Sequence, residues 1–326
     1  MSAKEKILEI LESNRGSYVS GEALAKEVHV SRTAVWKAIV ALRADGYNIQ
    51  GVTKLGYALA SDTDRLTAAG IGACLSPELR EKISICSFES LDSTNNEAKR
   101  QLAAGGLAQE QVLLITAEEQ TAGRGRLGRS FYSPFGTGIY MSFVFTASAS
   151  LTDAVGITSA AAVAVVRAVK RLTGKAVQIK WVNDIFLDGK KICGILTEAV
   201  TSLENSRAQQ IVVGIGINCA TVDFPEEMGG IAGSLKGTDV RRCALCAAVT
   251  EELYDFIGQL SQRPWMEEYR TASLVLGKEI LCIQGEHTFP AVAEEIDETG
   301  GLIVRCVDGT RKALHSGEVS VRLAGG

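Results

Sequence analysis

The sequence predicts an α/β (α+β) chain in three parts: a helical N-terminal module, a mixed α/β centre and a small C-terminal β-barrel. Three observations predict it. Residues 4–44 carry three apolar patterns at helical spacing, followed by two short strand-like runs. From residue 65 to residue 272, apolar strand-like runs alternate with helical patterns. From residue 273 onward, short alternating strands are punctuated by turns at Thr299-Gly300-Gly301 and Asp308-Gly309. A chain of 326 residues has room for two or three domains. The expected divisions are 1–60, 65–272 and 273–326.

In the first part, Ile7, Leu8, Ile10 and Leu11 form one helical face. Ser20 caps a short second helix carrying Leu24 and Val28, and Ser31 caps a third. There Val35, Ile39 and Leu42 should face inward, while Arg32, Thr33 and Lys37 face out. The helix stops at Asp45-Gly46. Strands at Tyr47–Val52 and Gly56–Leu59, joined by Thr53-Lys54-Leu55, complete a winged helix-turn-helix. Such a module would set Ser31, Arg32, Thr33 and Lys37 toward the major groove and Lys54 toward phosphate. Residues 29–60 hold Arg32, Lys37, Arg43 and Lys54 against Asp45 alone, which favours DNA. Three-helix modules also serve as dimerisation units, and the spacing of Trp36 does not decide between core and surface.

Ser61-Asp62-Thr63-Asp64 reads as a short polar linker. Beyond it, strands are expected at Ile83–Phe88, Val112–Ala117, Gly138–Phe145, Val177–Trp181, Ile185–Leu187, Lys191–Val200 and Gln210–Ile217. Helices are expected near Leu66–Gly72, Asn95–Ala104, Ala154–Leu172 and Ala244–Ile257. The turn at Asp188-Gly189 and the pairing of neighbouring runs favour a mostly antiparallel sheet. The barrel strands are Glu279–Cys282, His287–Ile296, Leu302–Cys306 and Glu318–Leu323.

Composition excludes several classes. Hydrophobic residues make up 46% of the chain and charged residues 22%, as in a folded globular protein. A net charge of −4 argues against indiscriminate nucleic-acid binding. The eight cysteines are scattered, and only Cys243 and Cys246 are close. They read as buried, reduced thiols, which fits a cytoplasmic protein. The apolar run Ala154–Val166 stops at Arg167, short of the ~20 residues of a membrane span.

The chemistry concentrates in Gly123-Arg124-Gly125-Arg126-Leu127-Gly128-Arg129, three glycines and three arginines in seven residues. Glycine lets backbone N–H groups approach an anion, and arginine adds forked donors suited to phosphate or carboxylate. The letters also match G-x-G-x-x-G, but arginines fill the motif and no buried strand is expected to lead directly into it, so a dinucleotide site fits poorly. Three further segments stand apart from packing needs. Asp92-Ser93-Thr94-Asn95-Asn96 clusters small hydrogen-bonding side chains, which equally suit a helix N-cap. Lys180-Trp181-Val182-Asn183-Asp184 leads to Asp188-Gly189-Lys190-Lys191-Ile192-Cys193-Gly194, which equally suits an edge hairpin. Gly214-Ile215-Gly216-Ile217-Asn218 would let a backbone crowd a ligand or a neighbouring strand.

Taken together and in this order, these segments resemble the biotin protein ligases, and the resemblance covers essentially the whole chain. The GRGRLGR loop and the KWVND…GKKICGIL block are quite specific; the S-T-N and G-I-G-I-N segments are less so. With the winged helix, the chain resembles the bifunctional members that also repress the biotin operon. Val182 departs from the family, where proline is common; Phe131 stands where an aromatic, often tryptophan, is usual. The resemblance implies a central domain like class II aminoacyl-tRNA synthetase cores and an SH3-like C-terminal barrel.

It also implies roles. Biotin, ATP and Mg²⁺ would be the small molecules, with biotinyl-5′-adenylate the intermediate. Arg124, Arg126 and Lys191 would be catalytic. Ser93, Thr94, Asn95, Gln120, Arg124, Lys191 and Gly194 would hold biotin. Arg126, Arg129, Phe131, Asn183, Asp184 and Asn218 would hold ATP, and Asp184 would support Mg²⁺. A loop over residues 121–133 would order around the adenylate and exclude water. The expected partners are a biotin carboxyl carrier protein, operator DNA and, with adenylate bound, a second copy of the chain; no membrane is expected. A lipoate-type ligase and a sensor-repressor without catalysis remain as alternatives.

Overall fold

A computed structural model describes residues 2–105, 107, 111–147, 153–201, 209–284, 286–315 and 319–323. The N-terminal part comprises α1 (Ala3–Ser13), α2 (Gly21–Val28), α3 (Arg32–Ala44) and the antiparallel hairpin β1 (Ile49–Val52) and β2 (Gly56–Leu59). Each helix starts at a serine whose hydroxyl accepts a backbone N–H: Ser2 from Glu5, Ser20 from Ala23 and Ser31 from Ala34. Ile7, Leu11, Leu24, Val35, Ile39, Leu42 and Leu59 close one small core. Arg32, Thr33, Trp36 and Lys37 are exposed.

Two short helices follow, α4 (Ala68–Cys74) and α5 (Pro77–Lys82). The central sheet has seven strands: β3 (Ile83–Leu91), β4 (Val112–Gln120), β5 (Gly138–Ala147), β6 (Gln178–Lys180), β7 (Asp184–Leu187), β8 (Lys190–Thr201) and β9 (Gln209–Asn218). Their order is β3-β4-β5-β9-β8-β7-β6. Only β3 and β4 pair in parallel; every other neighbour is antiparallel. α6 (Thr94–Gly105) packs Ala98 and Leu102 on one face, against Leu113, Ile115, Val144 and Val212. α7 (Asp153–Thr173) and α8 (Arg242–Ile257) cover the other, with Leu114, Met141 and Phe143 in the same core. This double cover explains why β4 reads as a continuous apolar run.

α9 (Met266–Thr271) leads to the C-terminal sheet of β10 (Glu279–Gln284), β11 (His287–Ile296), β12 (Leu302–Cys306), β13 (Arg311–Leu314) and β14 (Val319–Leu323). It is antiparallel throughout, in the order β13-β12-β11-β10-β14. Its core residues Ile280, Cys282, Ala293 and Val304 are continuous with the α7–α8 layer. Glu318, expected to open the last strand, lies outside the described residues. α5, α9 and β13 were not expected. They are short and carry no full period of apolar residues.

The segment 61–64 is not a loose linker. Arg15 donates Nη1 to the carbonyls of Ala60 (3.1 Å) and Thr63 (2.6 Å), and its guanidinium pairs with Glu12 at 2.5 Å. Asp64 accepts from Nε of Arg242 at 3.1 Å, and Arg242 also donates Nη1 to Glu118 on β4 at 2.6 Å. Glu118 in turn accepts from the backbone N–H of Leu66 at 2.8 Å. Burial works against the charge of Arg242, but Glu118 and Asp64 outweigh it and hold its pKa above the usual arginine value. These charges join the winged helix to the strand that ends at the cleft.

Candidate active site

The C-terminal ends of β3 and β4, the residues 121–133 and the β7–β8 hairpin surround a cleft. Ser93, Thr94, Asn95, Gln120, Arg124, Arg126, Arg129, Phe131, Asn183, Asp184, Lys191 and Gly194 all line it. Segments more than 90 residues apart in the chain meet here because the parallel β3–β4 pair and the β8–β9 pair flank β5.

Polar contacts fix one side. Gln120 accepts through Oε1 from the Thr94 N–H (2.9 Å) and hydroxyl (3.2 Å), and donates Nε2 to Ser133 Oγ (2.9 Å). Asn95 is buried and engaged at both ends of its amide. Its Nδ2 donates to Glu198 (2.8 Å) and to the Leu196 carbonyl (3.3 Å), and its Oδ1 accepts from Ser142 (2.6 Å). Its amide braces the floor of the cleft. Glu198 also accepts from Lys99 (2.7 Å) and stands 3.8 Å from Arg124. Glu198 is not among the residues expected at the site; its mark in the sequence is a lone carboxylate inside an apolar strand.

Residues 123–131 form a folded lasso. Arg124 and Ser130 make an antiparallel bridge, Gly125 N–H donates to the Arg129 carbonyl (2.7 Å), and Phe131 N–H donates to the Gly123 carbonyl (2.9 Å). Leu127 and Gly128 turn the tip with φ of 55° and 73°. Arg129 N–H donates to the Arg126 carbonyl at 3.1 Å and closes that turn. Here one expectation is corrected: the buried strand β4 does lead into the glycine motif, ending at Gln120. A dinucleotide fold still does not follow, because no α-helix starts at the motif to receive a pyrophosphate.

The cations converge from two directions. Arg126 donates Nη1 to Asn183 Oδ1 (3.1 Å), while Asn183 donates Nδ2 to the Ile195 carbonyl (2.7 Å). Burial lowers the Arg126 pKa, with Asp184 acting in the opposite sense. Lys191 pairs with Asp184 at 2.7 Å. Gly194 and Gly216 are register partners on β8 and β9, and the Phe131 ring rests on both. A Cβ at Gly216 would come within 2.4 Å of that ring, and one at Gly214 within 2.2 Å of Asn95 Oδ1. What crowds these glycines is therefore the protein's own side chains.

Asn218 stands apart from the cleft. It closes β9, donates Nδ2 to the Gly233 carbonyl (3.0 Å), and holds a buried Oδ1 with no hydrogen-bond partner. Asp184 is the one carboxylate among the described cleft-lining residues. Among the described residues no group of three His, Cys, Asp or Glu side chains gathers to hold a metal ion. The site thus fits a magnesium ion delivered on a nucleotide's phosphates and touched by one carboxylate, and does not fit an all-protein magnesium cage. The expected DNA-reading residues lie elsewhere: Arg32, Thr33 and Lys54 line a groove between α3 and the β1–β2 wing. Ser31 is committed to its cap, and Lys37 is exposed beside the groove. No described helix is long and apolar enough to cross a membrane.

Known families match the chain in three segments. Residues 87–218 match the biotin/lipoate A/B protein ligase family, residues 4–58 an HTH domain, and residues 275–322 the biotin protein ligase C-terminal domain. The bifunctional ligase/repressor BirA of Bacillus spizizenii is 30% identical, covering 98% of both chains. That of Escherichia coli is 29% identical, covering 95% of this chain and 94% of its own. The biotin protein ligase of Aquifex aeolicus, solved with biotin and ATP, superposes with a TM-score of 0.62 at 26% identity, covering 74% of this chain and 99% of that one. With a ligase cleft, a winged helix and a C-terminal sheet each matched in sequence order, and relatives aligned from end to end, the chain belongs to the biotin protein ligase family in its bifunctional ligase/repressor form.

Proposed function

We propose that this protein joins biotin to a lysine of a carboxylase carrier protein and represses transcription in response to the same vitamin. In the first half-reaction a biotin carboxylate oxygen attacks the α-phosphorus of ATP and pyrophosphate leaves. In the second, a carrier lysine amine attacks the acyl carbon, an amide forms and AMP leaves. Substrate atoms make and break every bond, so the enzyme's task is to align two anions and neutralise them.

The expected residues that line the cleft then have parts, while Asn218 has none and Asn95 braces the floor. Ser93, Thr94, Gln120 and the Arg124 backbone would meet the ureido head of biotin, with Gly194 as wall. Arg126, Arg129 and Lys191 would balance carboxylate and phosphate charge. Asn183 would face the ribose side, and Phe131, seated on Gly194 and Gly216, would pack over the base. Mg²⁺ bound to the triphosphate would neutralise the departing pyrophosphate, with Asp184 the carboxylate in reach. To reach it, Asp184 would give up its pairing with Lys191, freeing that ammonium for the substrate.

The observation that carries this reading is the meeting of Lys191, Arg126 and Arg124 around a glycine-floored cleft in a chain that also bears a winged helix. Adenylate-bound chains would pair as a two-fold dimer and set two α3 helices on a two-fold operator. Free thiols at all eight cysteines suit a reducing cytoplasm. The test is incubation with biotin, Mg-ATP and a carboxylase carrier domain. One biotin per carrier by mass is expected; an unmodified carrier, or transfer of lipoate in place of biotin, would reject it. Biotin-dependent operator binding without pyrophosphate release would favour a sensor that does not catalyse.

A further inference from the structure

On α3 the exposed residues are Arg32, Thr33, Trp36, Lys37, Val40, Arg43 and Ala44, and the intervening Val35, Ala38, Ile39 and Leu42 are buried. At 3.6 residues per turn the exposed set spans an arc of about 140°, one continuous face. That face is not uniformly polar. Trp36 is 56% exposed and Val40 43% exposed. A scattered apolar residue on a surface needs no explanation. Here, however, Trp36 lines the groove between α3 and the wing, and Val52 of the wing, 41% exposed, lines the same groove. Arg32, Arg43 and Lys54 line it too, against Glu22 as its one described acidic residue.

An apolar indole set among cations needs an occupant that is anionic at its edges and apolar at its centre. A DNA major groove is that: phosphates at the rims, and the C5-methyl of thymine projecting from the floor. We infer that Trp36 is a base-reading residue, contacting a thymine methyl in the operator beside Arg32 and Thr33 in the major groove, while Lys54 holds the backbone. The inference rests on the DNA-binding reading above and adds to it which part of the base is sensed. A repressor of this kind would draw part of its sequence preference from the thymine methyl as well as from hydrogen bonds.

The test uses the full-length protein with biotin and Mg-ATP. The wild type first selects duplexes from a randomised library. Trp36→Ala is then measured on the selected duplex, on a scrambled duplex, and on copies in which single thymines are replaced by deoxyuridine. Deoxyuridine removes one methyl and nothing else. Trp36→Ala is expected to weaken binding to the selected duplex about tenfold and to leave scrambled duplex unchanged. One deoxyuridine position is expected to cost the wild type about fourfold and Trp36→Ala nothing. If the wild type selects no sequence, the DNA-reading function itself falls and this inference with it. If selection succeeds but the deoxyuridine penalty persists in Trp36→Ala, or is missing in the wild type, the function stands and the role of Trp36 is wrong. Equal weakening on every duplex would assign Trp36 to a protein–protein contact instead. Because Trp36 is exposed, thermal unfolding of the variant should match the wild type.

Discussion

Phe131 and Gly216 compete for one volume: the ring edge lies where a β-carbon at position 216 would sit, 2.4 Å from Cε1. The ring is thereby bedded on β9 and, through Gly194, on β8. Gly216→Ala should push it off. We expect adenylate formation to fall tenfold or more, since misplacing a positioning group by about 1 Å costs on that order. Pyrophosphate release by the purified variant measures it. Wild-type rates would mean the ring's seat has no part in the reaction.

Lys191 lies 2.7 Å from Asp184 at the mouth of the β7–β8 hairpin. Lys191→Ala removes a cation from a site that must accept two anions. Loss of one such donor typically costs about 10²–10³ in rate. The expected outcome is that loss in adenylate formation with near-normal thermal unfolding. Retained pyrophosphate release would remove Lys191 from the mechanism.

Arg126 ties the lasso to Asn183. Arg126→Gly should shorten the half-life of enzyme-bound adenylate more than it lowers stability, because the lasso loses its hold over the cleft. Trapping the intermediate and following AMP release by chromatography gives the number. A half-life equal to the wild type contradicts the closure role.

Glu118 and Arg242 form an ion pair with both side chains buried, 4% and 3% exposed. Removing one partner strands the other charge, at a cost of about 3 kcal/mol or more. Glu118→Gln should therefore lower the denaturant midpoint clearly, although the residue does not line the cleft. A shift within about 0.5 kcal/mol would show that Asp64 alone satisfies Arg242.

Asp92 precedes the Ser93-Thr94 corner, and Arg100 above all, then Asn96 and the Ser93 N–H, hold its carboxyl well below the usual carboxylate range. A depressed folded-state pKa adds stability above the unfolded aspartate value, lost as pH falls through the folded one. The pair is largely solvent-exposed, so screening keeps the gain to about 1 kcal/mol or less. Asp92→Asn should cost that at pH 7 and progressively less below about pH 4. A difference unchanged from pH 7 to pH 3 would count against the carboxylate.

Much of this was legible in the chain. Long, strongly patterned elements are where they were expected: β11 and β12 match residue for residue, and α7 and α8 within two residues. The winged helix was readable because Ser20 and Ser31 mark helix starts by local chemistry, before any packing. The charged loop was readable because arginine and glycine together have no packing use. Tertiary pairing decided the rest. Asp64 looks like linker until Arg242, far along the chain, reaches it. Asn95 and Glu198 look unrelated until α6 is laid on the sheet that holds β8. The glycines of β9 look like ligand space, and the fold fills them with Phe131 and Asn95.

What sequence alone determined was which segments carry unusual chemistry, since residue type and local spacing are properties of the chain. What only the folded molecule decided was who meets whom. A buried charge finds its partner, and a glycine its neighbour, through strand order and register. Those depend on contacts between residues tens to more than a hundred positions apart, and no local pattern encodes them.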